Sequence, residues 1–403
     1  MTPQSPLAPA GFAPALLPGR TATLPLRPTL PVVPPVVPPL VPSAARRPLA
    51  GPPARPDLQA PPIGTLSPPV PHSALAAVLK GHRVGRLLTA APVAEGLLNR
   101  GYRVTTEAGS YFLKCYVDAA TANRPAITAQ HRATAGLHAR GLPVPAPLAA
   151  ADGRTVTAFG GRFFALFPWV EGRHRHGTEL DLPQCDALGA LLGRLHGALD
   201  EICAPVPQPA GYRTADPRDS ARLAAGLRLR AREHHPYGAF DALAEQRLTE
   251  RLDLLGALGH RRPAPEAAPP TGWTHGDFHG LNVLHRGGLV GAVLDWDKLG
   301  PQPRAEEAVR AATLLFNDRR RGVLDLVRVR RFSQAYRAAG AARPEELAAA
   351  VHRVWWERLN DFWILQWHYQ RADHRADALF PASAGQLAWW CQEYEQVLDA
   401  FAN

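Results

Sequence analysis

Hydrophobic positions repeat in two rhythms along this chain. Leu188, Leu191, Leu192, Leu195 and Leu199 recur three and four residues apart, which marks one buried face of a helix beginning near Leu182. Similar helical segments follow over 217–259, 304–315, 322–339, 344–370 and 385–402. Upstream the rhythm shortens. Residues 74–88 keep helix-like spacing, but 102–106 and 111–117 are rich in aromatic and β-branched residues. The turn Glu107-Ala108-Gly109-Ser110 between them predicts a β-hairpin. Residues 126–140 predict a helix that stops at Gly141, with Pro143 and Pro145 just beyond. Two further strands, 155–159 and 162–168, flank Gly160-Gly161. The ordered chain therefore reads as α+β: a small mixed unit over 73–170, then a mainly helical one over 171–403 in which strand-like runs return at 272–297.

The first 72 residues do not share either rhythm. The chain has 42 prolines in 403 residues, and the run PVVPPVVPPLVP alone favours polyproline II, because each proline fixes φ and removes a backbone donor. The segment 1–72 reads as a disordered or extended tail, with docking to a partner's groove as the sharper alternative. The formal net charge is +10, which suits polyanions such as nucleotide phosphates. A nucleic-acid role is not expected: neither zinc-finger spacing nor an RNA-binding aromatic signature occurs. No run of apolar residues is long enough to predict a membrane span, and the start of the chain lacks the pattern of a secretory signal. Cys115, Cys185, Cys203 and Cys391 are scattered without metal-ligand spacing, so a reduced, cytoplasmic protein is expected.

Candidate chemistry concentrates in one stretch, WTHGDFHGLNVLHRGGLVGAVLDWDKLG, residues 273–300. It holds His275, Asp277 and Asn282 as H-x-D-x-x-x-x-N, and Asp295 ends the apolar run that follows. The turn Arg286-Gly287-Gly288 predicts a hairpin. In an antiparallel hairpin the start of one strand lies beside the end of the other, so Asn282 and Asp295 meet. An amide oxygen beside a carboxylate is a hard-oxygen site suited to Mg²⁺. Asp277, just ahead in the loop, is placed to accept a proton from an alcohol. One positioned base and two metal ligands are what a phosphoryl transferase needs.

HGDFHGLNVL followed by LDWD resembles the catalytic and metal-binding loops of the aminoglycoside phosphotransferase, choline kinase and homoserine kinase superfamily. The resemblance spans roughly residues 80–400 and implies a protein-kinase-like two-lobe fold. It implies Asp277 as catalytic base, His275 as support for the loop, and Asn282 and Asp295 as ligands of Mg²⁺. ATP or GTP is the implied co-substrate, and a hydroxyl of a small molecule the acceptor. The segment 95–117 resembles the family's phosphate-covering loop. There Gly96, Asn99 and Gly101 would let backbone approach phosphates, and Lys114 would contact the α- and β-phosphates. The segment 163–172 resembles the strand and linker between the lobes, and implies adenine binding near Phe167, Trp169 and Val170. Arg304 and Glu307, in a segment like the family's G-P-R-x-x-(D/E), are expected to hold structure.

One departure stands out. The family's lysine pairs with a glutamate on the next helix, where this chain has Gln130, and no acid occurs between Asp118 and Asp152. Gln130 could accept a hydrogen bond from Lys114 but carries no charge. This motivates a second functional class, a nucleotide-binding pseudokinase or scaffold. A protein kinase is disfavoured by the lack of D-F-G and A-P-E motifs. For the acceptor, the aromatic stripe Trp355, Trp356, Phe362, Trp363, Trp367 and Tyr369 reads first as core, with cation–π capture of a quaternary ammonium as the alternative. The glycine-rich loop is somewhat like that of homoserine kinases.

Overall fold

The computed structural model describes residues 69–93, 99–117 and 121–403. The segment 1–68 and Gly96 lie outside the described residues, and with them most of the proline-rich tail.

Alternation builds the small lobe. Helix α1 (His72–Leu79) leads into β1 (Leu87–Val93), β2 (Arg100–Thr106) and β3 (Gly109–Tyr116). Helix α2 (Arg124–Ala139) follows, then β4 (Thr157–Phe159) and β5 (Arg162–Pro168). The strands form one antiparallel sheet in the order β1-β2-β3-β5-β4. The β2–β3 turn is tighter than the sequence suggests, because Thr106 pairs with Gly109 and only Glu107-Ala108 remain in the loop. Gly160 and Gly161 turn β4 into β5 with φ of +57° and +73°, a region that side chains disfavour. Successive side chains take opposite faces of the sheet. Val104, Leu113, Phe164 and Leu166 therefore bury one face under α1. Lys114, Tyr116 and Ala165 fall on the other face, where Ile127 of α2 packs on Tyr116 and Ala165. Asn123 caps α2 by accepting from Ala126 N, with Pro125 in its first turn, and Gly141 follows its end at φ +74°.

The large lobe is helical around one hydrophobic core. Helix α3 (Leu182–Ile202) buries the predicted leucine face. Helices α4 (Pro217–Glu233) and α5 (Ala239–Leu258) replace the single segment expected over 217–259. Pro236 has no N–H to offer a continuing helix, and α5 restarts under the side chain of Asp241, which accepts from Gly238 N. Strand β6 (Thr271–Thr274), β7 (Val283–Arg286), β8 (Leu289–Val293) and β9 (Gly300–Pro303) occupy the region where strand character returned. Helix α6 (Arg304–Leu315) and α7 (Leu326–Ala338) follow nearly as expected.

The segment 344–370 divides into α8 (Pro344–Leu359) and α9 (Trp363–Arg371). Its apolar pattern runs straight through the break, which is made from a distance. Arg251 of α5 donates to the carbonyls of Arg358 and Leu359, both at 3.0 Å, and of Asp361 at 3.3 Å. These are the acceptors that a helix end leaves open. The C-terminal segment likewise divides into α10 (Phe380–Gln392) and α11 (Tyr394–Ala402). Trp355 and Trp356 are fully buried, as the core reading of the aromatic stripe expects. Among the described residues, no helix is long and apolar enough to cross a membrane.

Candidate active site

Strands β6 and β9 pair antiparallel, with Thr274 opposite Gly300. They pinch the base of the loop 275–299, and the β7–β8 hairpin rises from its middle. Gly287 supplies the hairpin turn at φ +61°. The predicted convergence is present: Leu294 N donates to Asn282 O at 2.8 Å, so Asn282 and Asp295 stand side by side where the hairpin begins and ends.

A buried polar chain braces this loop from behind. The backbone N–H groups of His275 and Gly276 both donate to the carboxylate of Glu307 on α6. Glu307 also bonds His196 of α3 at 2.8 Å, and His196 bonds the hydroxyl of Tyr336 on α7 at 3.0 Å. Burial pushes the Glu307 carboxyl up, but the His196 hydrogen bond and nearby positive charge outweigh it, and the net direction is down. His275 bridges within the loop. Its Nε2 lies 2.8 Å from Leu294 O, and Asp277 N donates to its Nδ1 at 3.2 Å. That pairing requires the neutral tautomer with the proton on Nε2, and burial keeps the ring neutral by lowering its pKa. Gly276 has φ +83°, and a Cβ there would sit 2.2 Å from Lys298 O. Only glycine fits. Arg304, at the start of the same helix as Glu307, forms an ion pair with Asp200.

Asp277 projects from this braced loop with its side chain partly exposed. Lys298 Nζ is 3.0 Å from Asp277 Oδ2, and His279 Nε2 is 3.7 Å from it. Burial raises the carboxyl's pKa, yet His279 and Lys298 outweigh it and hold the group well below the usual carboxylate range. Asn282 donates from Nδ2 to Asp277 O at 2.9 Å. The amide is thereby fixed with Oδ1 turned the other way.

Lys114 reaches this loop from the sheet. Its neighbours on the same face are Gly101 on β2 and Ala165 on β5, which leave space for the long side chain. Nζ lies 2.7 Å from Asp295 Oδ1 and 2.7 Å from Asp297 Oδ1. Burial would lower the ammonium pKa, but the two carboxylates reverse the direction and hold it above the ordinary lysine range. Lys114 in turn keeps Asp295 below its usual range, while burial and the Asp295 charge push Asp297 up. Asp295 adopts φ +56°, an αL conformation uncommon outside glycine though less so for Asp.

Asp297 resolves the anomaly at Gln130. Gln130 does not stand in for a glutamate by accepting from Lys114; its Nε2 donates to Asp297 Oδ1 at 3.3 Å. The carboxylate comes from the loop, and the helix supplies a donor to hold it. Asn99 has a related role. Its Nδ2 donates to Asp297 Oδ2 at 2.6 Å and its Oδ1 accepts from Val117 N at 2.9 Å, so this side chain ties the sheet to the loop. Gly101 is needed for packing: a Cβ would lie 2.5 Å from the Phe112 ring. Sequence reasoning passed over Asp297, Lys298, His279 and His196. For Asp297 a signal existed, the second acid of LDWD.

At the end of β5, Phe167 pairs with Phe112 and sets its ring 5.7 Å from that of His131, edge to face. Trp169 N donates to Ser110 O at 3.3 Å, its indole N–H bonds Glu171, and Arg103 stacks on it at 4.6 Å. Val170 follows, half-buried.

A model of the phosphotransferase enzyme family matches residues 89–347. Homoserine kinase of Methylobacillus flagellatus is 28% identical over 72% of this chain and 84% of its own length. Homoserine kinase of a Janthinobacterium species is 26% identical over 69% and 82%. Among solved structures, an aminoglycoside phosphotransferase from Alicyclobacillus acidocaldarius aligns at a TM-score of 0.55 with 14% identity, covering 84% of this chain and 96% of that one. Spectinomycin phosphotransferase aligns at 0.54 with 15% identity, covering 83% and 98%. Together they establish a protein-kinase-like fold. A sheet lysine, a braced H-x-D-x-x-x-x-N loop and an aspartate-bearing hairpin thus converge in a chain that belongs to the phosphotransferase enzyme family and is a small-molecule kinase acting on a hydroxyl group.

Proposed function

We propose that this protein transfers the γ-phosphoryl group of ATP to the hydroxyl of homoserine, with Asp277 as base. The observation that carries the reading is the meeting, at 2.7 Å, of Lys114 with Asp295 and Asp297, residues 181 and further apart in sequence, on the loop that also carries Asp277 and Asn282. Homoserine is favoured because the curated relatives that align over most of their length are homoserine kinases. A quaternary ammonium acceptor is disfavoured. The rings of Phe362, Trp355 and Trp367 already stack with the chain's own Arg251, Arg261, Arg371 and Arg375.

Lys114 neutralises charge on the nucleotide phosphates. The backbone near Phe167, Trp169 and Val170 holds the adenine. Asn282 Oδ1 and the Asp295 carboxylate are hard oxygens that would hold Mg²⁺, and the ion would supply charge neutralisation on the transferring group. Asp277 is ionised at neutral pH and stands ready to take the proton of the acceptor hydroxyl. That oxygen bonds to the γ-phosphorus as the bond to the β–γ bridging oxygen breaks, and ADP leaves with the electron pair. The Glu307–His196–Tyr336 chain keeps the loop that carries Asp277 from shifting.

The test is transfer of label from γ-labelled ATP, with Mg²⁺, to a panel of homoserine, choline, ethanolamine, aminoglycosides and methylthioribose. Label on homoserine, lost in Asp277→Asn with nucleotide binding retained, is the expected result. Label on another acceptor and none on homoserine refutes the substrate. Unchanged turnover in Asp277→Asn refutes the base.

A further inference from the structure

A second cluster of chemically active side chains lies on elements that contribute nothing to the site above. His368 is in the last turn of α9, and His374 and Asp377 follow in sequence as H-x5-H-x2-D. Ala372, at φ +50°, ends the helix and turns the chain back. Asp373 N then donates to Trp367 O at 3.0 Å, and Asp377 N to His374 O at 3.2 Å, which places His374 and Asp377 on one short turn facing His368. His368 is pinned by stacking on Phe240 with centroids 4.2 Å apart.

Three donor atoms close a triangle. His368 Nδ1 is 2.9 Å from Asp377 Oδ2, His374 Nδ1 is 3.1 Å from the same oxygen, and the two Nδ1 atoms are 3.1 Å apart. Protons satisfy at most two of these contacts. If both nitrogens donate to the carboxylate, two N–H groups crowd each other across the third edge. A single cation at the centre satisfies all three. Ligand atoms about 2.0–2.1 Å from a tetrahedral zinc lie roughly 3.3 Å from each other, within a few tenths of the distances seen.

Two further atoms are left over by hydrogen bonding. Asp377 Oδ1 and His368 Nε2 are buried without a hydrogen-bond partner. An imidazole that ligates through Nδ1 carries its proton on Nε2 and needs an acceptor there. Asp241 and His234 lie within 4.8 Å of a His368 ring nitrogen. Asp241 is itself fixed by Tyr369 OH at 2.8 Å and by Gly238 N at 2.8 Å. Asp241, also 3.0 Å from His234 Nδ1, is the nearby carboxylate toward which an Nε2 proton on His368 would turn once Nδ1 is ligated. His374 is more than half exposed, so an ion has a path in and a fourth position open to water.

We propose that His368, His374 and Asp377 bind one divalent transition-metal ion, zinc foremost, through Nδ1, Nδ1 and Oδ2. The ion staples the end of α9 to the turn before α10.

The experiment uses full-length protein stripped with chelator and titrated with Zn²⁺ and with Co²⁺ alone. Calorimetry should show a zinc site that His374→Ala and Asp377→Asn each weaken by at least about tenfold, the loss that even outer partners of a metal site cause. Co²⁺ should give visible d–d absorption in the parent and in Asp277→Asn, without a thiolate charge-transfer band, and none in His374→Ala. His374 is exposed enough that its truncation should leave the circular dichroism unchanged. The proposal is overturned if the parent shows no d–d absorption, if either variant binds zinc as the parent does, or if a thiolate band assigns the ion to a cysteine. Its failure would leave the kinase reading intact, since that rests on labelled transfer.

Discussion

A single carboxylate decides how Lys114 is held. With Gln130 on α2, the lysine's second counter-charge is Asp297, which Gln130 and Asn99 both hold by donation. Asp297→Asn leaves Lys114 with one partner and turns a charge-assisted contact into a neutral one. It should raise KM for ATP and cost about 1–3 kcal/mol of stability by urea denaturation. Gln130→Glu is expected to impair, not improve, turnover, because it sets a carboxylate beside Asp297 and removes that group's donor. A Gln130→Glu protein with several-fold higher kcat/KM would show that the lysine lacks charge and that Asp297 does not supply it. The unpaired charge suggested by Gln130 gave the pseudokinase reading its motive, and the ion pair with Asp297 removes it.

Elements set the tolerance of the loop between β6 and β9. Two glycines in it have positive φ for different reasons. Gly287 turns the hairpin in open space, so Gly287→Ala should cost only about 1–2 kcal/mol of backbone strain and leave kcat near that of the parent. Gly276 is enclosed, with Lys298 O where a Cβ would go. Gly276→Ala must push the loop off the Lys298 backbone and drag Asp277 with it. A displacement of about 1 Å is enough to cost roughly 100-fold in rate. Steady-state kinetics on the two variants, with circular dichroism as control, checks the contrast. Equal kcat values would show that the loop's position is not what places the base.

At the scale of the whole molecule, a buried histidine links folding to pH. His131 sits in the small lobe between Tyr116 and Thr155, and burial, with Lys114 nearby, lowers its pKa from 6.5 to about 4. The unfolded chain takes up a proton below 6.5 and the folded one does not until about 4. Stability from this group is therefore complete above 6.5 and is lost as pH falls towards 4. Between about pH 7 and pH 5 the loss should reach about 2 kcal/mol, seen as a falling urea midpoint. His131→Gln should flatten that slope. An unchanged slope would mean that His131 protonates freely in the folded protein.

What the sequence determined by itself is the local and the chemical. The aromatic and β-branched residues of 111–117 made β3, whose pleat put Lys114 on one face, and the leucines of α3 made its buried side. Gly287-Gly288 folded the hairpin that joins Asn282 to Asp295. Each follows from a period or a turn preference that acts over a few residues. The tertiary structure decided what depends on distant partners. Arg251, more than a hundred residues away, ends α8 inside an unbroken apolar pattern. Asp297 was legible as an acid in LDWD, but its service to Lys114 needed the sheet packed against the loop. His196, among the leucines of α3, acquires its role only where Glu307 and Tyr336 meet it. The three-atom triangle of His368, His374 and Asp377 arises only once Ala372 has turned the chain. Periodicity encodes which face of an element is buried, whereas the pairing of charges across elements is fixed only when their backbones have docked.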